Sequence, residues 1–410
     1  VIHVAADVVN SKLIDCLHHG KKEDLHMVSR AERGPLAEWF WTIDRFFLAV
    51  FVLLVGSGFM LSFAASPAVA ERIGLDSFHF VERHALFLLP SLVVMVGLSF
   101  LSPRQVRRVA MIMLVVSLVM MVLVLFIGME VKGSRRWITI SALSVQPSEF
   151  MKPAFVVVCA WLFAEHQRQP DIPGNFFAMI LLLIVAALLI AEPDLGQTIL
   201  TTAVWGAMFF MAGMPWIWIV LMAGAGAGAI FFAYGFFPHV AARINQFLTG
   251  EGNTYQVDTA HDAITRGGWF GVGPGEGMVK RILPDSHTDF VFSVAAEEFG
   301  IIFCLAILAL YMFVVMRGLS HALKDRNHFT RFAVAGLVLQ IGLQSIINIG
   351  VNLQLLPAKG MTLPLLSYGG SSQIAICVTA GFILALTRHR PEKRAQERSF
   401  FRGGQGVPAE

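Results

Sequence analysis

The feature that most constrains this chain is a succession of apolar runs, each about 20 residues long, the length of α-helix that crosses a ~30 Å hydrocarbon layer. They fall at residues 45–66, 80–101, 108–128, 148–166, 175–192, 196–213, 215–237, 289–316, 332–356 and 370–387. Inside hydrocarbon a backbone must satisfy its own hydrogen bonds, so runs of this kind fold as helices. The expected fold is an all-α membrane protein with about ten transmembrane helices. The weakest spans flank Pro193-Asp194 and Gly213-Met214, where very short connections must reverse the chain.

Composition agrees. The 410 residues are 56% hydrophobic and only 14% charged, with mean hydropathy +0.67, whereas a soluble domain carries about 25% charge. The formal net charge of +3 says little, and no nucleic-acid partner is expected. Cys16, Cys159, Cys304 and Cys377 have no paired or metal-type spacing and read as packing thiols.

Orientation follows from where Lys and Arg fall in alternate loops. With the N-terminus inside, the cytoplasmic set holds Arg104, Arg107 and Arg108, then Arg168, then Arg317, Lys324, Arg326 and Arg331, then the tail from Arg388 to Arg402. The opposite set is sparser, so both termini are expected to be cytoplasmic. Residues 1–44 then form a cytoplasmic segment, 45–387 the membrane domain and 388–410 a basic tail at anionic headgroups. Residues 1–26 differ in character from the rest and need not be native, with Met27 as an alternative start, and no cleavable signal peptide is expected before the first span.

One large extracytoplasmic loop, 238–288, separates the seventh and eighth spans. Its Tyr255, Trp269, Phe270 and Ile282 argue against disorder, and its glycines from Gly267 to Gly277 permit tight turns or close approach to a ligand. It does not match a phosphate-binding loop, because no Gly-Lys-Ser/Thr follows.

Ionisable residues inside or beside spans are functional candidates. Glu149 and Lys152 share a helix face, either as a local ion pair or with Lys152 reaching Asp289 on a neighbouring helix. Asp289 reads either as a cap on the next helix or as a general base toward a hydroxyl. Glu297 and Glu298 read as structural, one of them bonded to Gln340, Gln344, Asn348 or Asn352. Arg135, Arg136, Arg243, Lys280, Arg281 and Lys359 stand on the outer side against the charge bias, where they would either snorkel to headgroups or hold an anion such as a lipid-linked diphosphate.

The motifs themselves resemble a known family. Gly133-Ser-Arg-Arg-Trp-Ile138, Gln146-Pro-Ser-Glu-Phe-Met-Lys152, Glu192-Pro-Asp-Leu-Gly-Gln197, His287-Thr-Asp-Phe290 and Lys359-Gly-Met-Thr-Leu-Pro-Leu-Leu-Ser-Tyr-Gly-Gly-Ser-Ser372 are similar, in order, to the blocks of the SEDS proteins (shape, elongation, division and sporulation). The Lys-Gly-x-Thr-Leu-Pro form resembles the division members more than the elongation members. The resemblance implies a peptidoglycan glycosyltransferase that polymerises lipid II during septal wall synthesis. It implies Asp289 as general base, with Lys152 and Glu149 beside it. It also implies a substrate-binding set of Arg136, Trp137, Glu192, Asp194, Gln197, Arg243, Lys280, His287, Lys359, Ser367, Tyr368 and Ser371.

No cofactor is certain, although a divalent cation (Mg or Mn) is a candidate at the substrate diphosphate. The implied partners are a class B penicillin-binding protein (an FtsI-type transpeptidase) and other divisome proteins, and the implied location is the bacterial inner membrane at the septum. A lipid II flippase and a non-catalytic divisome scaffold remain the alternative functions. The candidate residues cluster toward the outer side, which favours the enzyme over a transporter.

Overall fold

The computed structural model describes residues 34–72, 74–131, 134–140, 143–236, 241, 245, 255–357 and 360–389. Residues 1–26, Arg243, Lys359 and the tail beyond residue 389 lie outside them. Val1–Ile43 with His389–Glu410 form one compact unit, in which α1 (Pro35–Thr42) is the described helix. Asp44–Arg388 form the other.

Every predicted apolar segment of the larger unit is helical. The helices are α2 (Arg45–Arg72), α3 (His79–Ser99), α4 (Pro103–Ile127), α5 (Pro147–Arg168), α6 (Gly174–Ala191), α7 (Leu195–Met211), α8 (Trp216–Phe236), α10 (Val291–Lys324), α11 (His328–Asn352) and α12 (Gly370–Thr387). Among the described residues, eight of these are long and apolar enough to cross a membrane, with α7 shorter at 17 residues. The chain is therefore a mostly helical, multi-pass membrane protein.

Helix ends are set by local chemistry. Ser102 and Gln105 form a capping box ahead of Pro103. Asn327 accepts from the N–H groups of Phe329 and Thr330. Asp44 accepts from those of Phe46 and Phe47 and also takes the Arg317 guanidinium, Nη2 to Oδ2 at 2.9 Å. α5, α11 and α12 are buried for 83, 78 and 83% of their apolar stretches, against 22% for α3 and 28% for α4, α6 and α10. The first three are thus the centre, and the others turn an apolar side to lipid. That is why polar residues are tolerated on α5 and α11.

The connection between α4 and α5, expected as a loop, is a small antiparallel sheet of β1 (Met129–Val131), β2 (Ser134–Ile140) and β3 (Leu143–Val145) in the order β1-β2-β3. Ile138 and Thr139, β-branched, face Val145 and Ser144 across the β2–β3 pair. The large loop is also partly structured. It carries α9 (Tyr255–Gly267) and a 3-10 turn at Val279–Arg281.

The eighth span is not one helix. α10 is broken at Gly300, whose φ of 80° and ψ of 176° are not helical, leaving a half-helix over 291–299 and a longer one over 301–324. Four backbone groups freed by the break are taken by the glycine-rich loop. Val272 and Gly273 N–H donate to the carbonyls of Glu297 and Glu298, while Ile301 and Ile302 N–H donate to those of Gly268 and Trp269. A Cβ at Gly271 would lie 2.1 Å from Glu298 O, and one at Gly300 would lie 2.4 Å from Trp269 O. Gly267, Gly271 and Gly300 therefore serve close approach to another backbone.

The flanking carboxylates complete the joint. Glu297 accepts from the N–H groups of Met278, Val279 and Lys280 at 2.8, 2.8 and 2.9 Å. Glu298 pairs with the Lys280 ammonium, which also donates to Ala64 O. Both glutamates are structural, but they bind the loop rather than the α11 amides the sequence suggested. Lys280, expected to bind substrate, is buried in this joint, and its pairing there avoids the several kcal/mol that an unpaired ammonium would cost.

Gly300→Ala should be strongly destabilising, by about 2 kcal/mol or more from backbone strain and the clash together. Thermal unfolding in detergent checks this, and an unchanged midpoint would contradict the tight joint.

Candidate active site

Asp289 stands two residues ahead of α10. The helix is capped at Phe290 without a side-chain bond, so the capping reading of Asp289 does not hold. Its main chain is fixed from both sides. The N–H donates to Asp285 O, and the carbonyl accepts from Asn348 Nδ2 at 2.8 Å and Asn352 Nδ2 at 3.1 Å. Asn348 also donates to Met361 O. One amide thus ties the Asp289 turn to the segment entering α12.

The Asp289 carboxylate abuts the backbone of Gly360, where an added Cβ would lie 3.6 Å from Oδ2. With Gln256, Phe290, Asn348, Val351 and Met361 these residues line a cavity of about 30 Å³. That is room for more than one water-sized group, so a hydroxyl fits.

Lys152 is paired, but not with Asp289. Its Nζ lies 2.9 Å from Glu149 Oε2 and donates to Gln344 Oε1 at 3.1 Å, the local-pair alternative. Glu149 Oε1 accepts from Gln197 Nε2 at 2.8 Å, and Gln197 N–H is held by the capping Asp194 carboxylate. Arg136, delivered by β2, closes the chain. Its Nη1 lies 3.3 Å from Asp194 Oδ2, and its other nitrogens donate to the carbonyls of Glu192 and Pro193. At the other end Gln344 Nε2 donates to Thr362 O at 2.9 Å. A continuous polar chain thus runs from the α6–α7 turn through α5 and α11 to the residue beside Met361. The guanidinium of Arg136 serves this turn and is partly exposed.

Glu192 sits in that turn with 1% exposure, and among the described residues neither carboxylate oxygen has a hydrogen-bond partner. Burial, then the nearby Asp194 charge, push its pKa up to about 8 against the pull of Arg136. Burial also raises the Asp194 pKa, opposed by Arg136 and the Gln197 N–H.

His287 forms a three-ring cluster with Phe80 and Tyr368, ring centroids 4.5 and 5.4 Å away and planes tilted, and burial lowers its pKa to about 4, so it is neutral at pH 7. Tyr368 N–H donates to His287 O. Ser367 Oγ accepts from Leu363 N–H and Ser371 Oγ from Gln146 N–H, so both hydroxyls shape the chain. Trp137 is half-buried on β2, opposite Met129. The sequence had offered Gln344, Asn348 and Asn352 only as partners for Glu297 or Glu298, although their i, i+4, i+8 spacing puts three amides on one face of an apolar helix.

A protein-family model for FtsW, RodA and SpoVE, described as "Cell cycle protein", matches residues 44–392. The chain belongs to that family. A relative from Caulobacter vibrioides (strain NA1000 / CB15N), named "Probable peptidoglycan glycosyltransferase FtsW", is 47% identical over 368 residues, 89% of this chain and 94% of its own. One of the same name from Pseudomonas fluorescens (strain SBW25) is 37% identical over 352 residues, covering 83% and 86%. Among solved structures, a chain from a peptidoglycan synthase complex that coordinates polymerization and crosslinking superposes with TM-score 0.72 at 27% identity, covering 84% of this chain and 97% of that one. The Rod shape determining protein RodA of Thermus thermophilus does so with TM-score 0.61 at 26% identity, covering 84% and 96%.

Two predictions test this network. Lys152→Met and Glu149→Gln should each destabilise by about 3–5 kcal/mol, since each leaves its partner buried and uncompensated, and the double variant should cost clearly less than the sum. Additive losses in thermal unfolding would contradict the pair. For Glu192 the folded-state pKa is raised, so its contribution to stability is full below about 4.5 and is lost as pH rises toward about 8. Glu192→Gln should therefore flatten the fall in unfolding temperature between pH 6 and 8.

Proposed function

We propose that this family member polymerises lipid II into glycan strands during division, with Asp289 as general base on the outer side of the inner membrane. The observation that carries the reading is the Asp289 carboxylate at a small cavity whose walls, the 289–290 turn and Gly360-Met361, are fixed to each other through Asn348. The names of the relatives supply the reaction class, peptidoglycan glycosyl transfer.

In that reaction the acceptor sugar's 4-hydroxyl enters the cavity mouth and gives its proton to Asp289. The oxygen forms a bond to the donor's anomeric carbon. The bond from that carbon to the diphosphate breaks, and undecaprenyl diphosphate leaves with the electron pair, a weak base that needs no protonation. The Glu149–Lys152 pair acts at one remove, holding Gln344 and through it the 361–362 segment, so both are positioning residues. Lys359, next in sequence to Gly360, is the candidate for the leaving diphosphate, because Arg136 and Lys280 are engaged within the protein. Among the described residues no three His, Cys, Asp or Glu side chains gather as a metal cage. No step is routed through a cation.

Ten spans with both termini cytoplasmic put Asp289 and the α6–α7 turn on the outer face. The likeness to a chain from a complex of polymerization and crosslinking supports a class B penicillin-binding protein as partner. With that partner and lipid II supplied, Asp289→Asn should lower glycan polymer by at least about 100-fold, with unchanged unfolding temperature and partner binding. Equal polymer from both proteins would remove Asp289 from the chemical step.

A further inference from the structure

The loop that bridges the break in α10 ends in a tip that the reaction does not use. Trp269 and Phe270 are 66% and 82% exposed, yet their backbone is pinned, with the Trp269 carbonyl holding Ile302 N–H. Two adjacent large aromatic side chains held out from a rigid joint call for an apolar contact.

The length of α10 says what that contact is. From Gly300 to Arg317 the helix rises about 25 Å. Arg317, which the distribution of Lys and Arg assigns to the cytoplasmic side, is bonded to Asp44 at the start of α2, so this charged pair belongs near the inner boundary. The tip therefore lies near the opposite boundary of a ~30 Å hydrocarbon layer, the level at which aromatic side chains concentrate. The exposed apolar face of α10 begins at Ile302, the residue bonded to the tip, and continues through Leu305, Leu308 and Met312. α9, just before the tip, turns Asp258, Asp262, Thr265 and Arg266 outward. One loop thus has a wet face and an apolar end.

We propose that Trp269 and Phe270 insert into the boundary between headgroups and acyl chains of the outer leaflet, as an interfacial anchor for glycerophospholipid. The backbone bonds of residues 268–273 fasten this anchor to the half-helix that follows Asp289. The bilayer then fixes the height of the Asp289 turn relative to a lipid-linked substrate in the same leaflet. Only this last consequence rests on the polymerase reading, and the anchor is tested without it.

The test places the full-length protein in nanodiscs of phosphatidylethanolamine and phosphatidylglycerol. Phe270→Cys and, separately, Asp262→Cys are made in a Cys16→Ser background, where Cys159, Cys304 and Cys377 are buried, and labelled with an environment-sensitive fluorophore. The label at 270 should emit to the blue of that at 262 and be quenched several-fold more by lipids brominated near the top of the acyl chains than by aqueous iodide, with the order reversed at 262. Water-like emission at both positions overturns the proposal, as does protection of 270 from both quenchers, which would mean that protein covers the tip. Independently of labelling, Trp269→Tyr should lower the fraction of tryptophan emission quenched by brominated lipid, and an unchanged fraction overturns the proposal equally.

Discussion

Everything near Asp289 depends on how the chain satisfies its backbone where α10 is interrupted. A helix opened inside a membrane protein frees N–H and C=O groups that hydrocarbon cannot bond, and each costs several kcal/mol if left alone. Here the loop from Gly267 to Gly273 supplies carbonyls to one half-helix and N–H groups to the other. It can come close enough only because Gly267, Gly271 and Gly300 lack a Cβ. Glu297 and the Glu298–Lys280 pair add charge-assisted bonds around the same joint. The half-helix over 291–299 is thus held as a rigid piece, and the turn carrying Asp289 is held with it.

The second support comes from α11. Gln344, Asn348 and Asn352 bond main-chain carbonyls of Thr362, Met361 and Asp289, which lie in irregular segments with no helix of their own to satisfy them. Through Gln344 this ladder continues into Lys152, Glu149, Gln197, Asp194 and Arg136. Among the described residues, nearly every buried charge along this ladder thus has a partner. Glu192 is the exception, and its raised pKa keeps it protonated at neutral pH, so it adds no unpaired charge.

Much of this architecture was legible in advance. Apolar runs located the helices, and breaks between adjacent helices do fall at Pro193-Asp194 and Gly213-Met214. The motif blocks pointed to the family that the comparison then gave. Less legible were the partners. The sheet over 129–145 is too short and irregular to show a clear period. The basic residues Lys280 and Arg136 could be read only as available charges, because their carboxylates and carbonyls come from other helices and loops.

The sequence alone determined that the chain lives in a membrane as helices, and which residues could carry chemistry, since hydropathy and motif spacing are local properties. Only the tertiary structure decided that the eighth span is broken at Gly300, that its glycine loop meets backbone, and that Lys152 belongs to Glu149 and Gln344. Those outcomes turn on which groups remain unsatisfied after helices pack, and that is known only when segments far apart in the chain have been brought together.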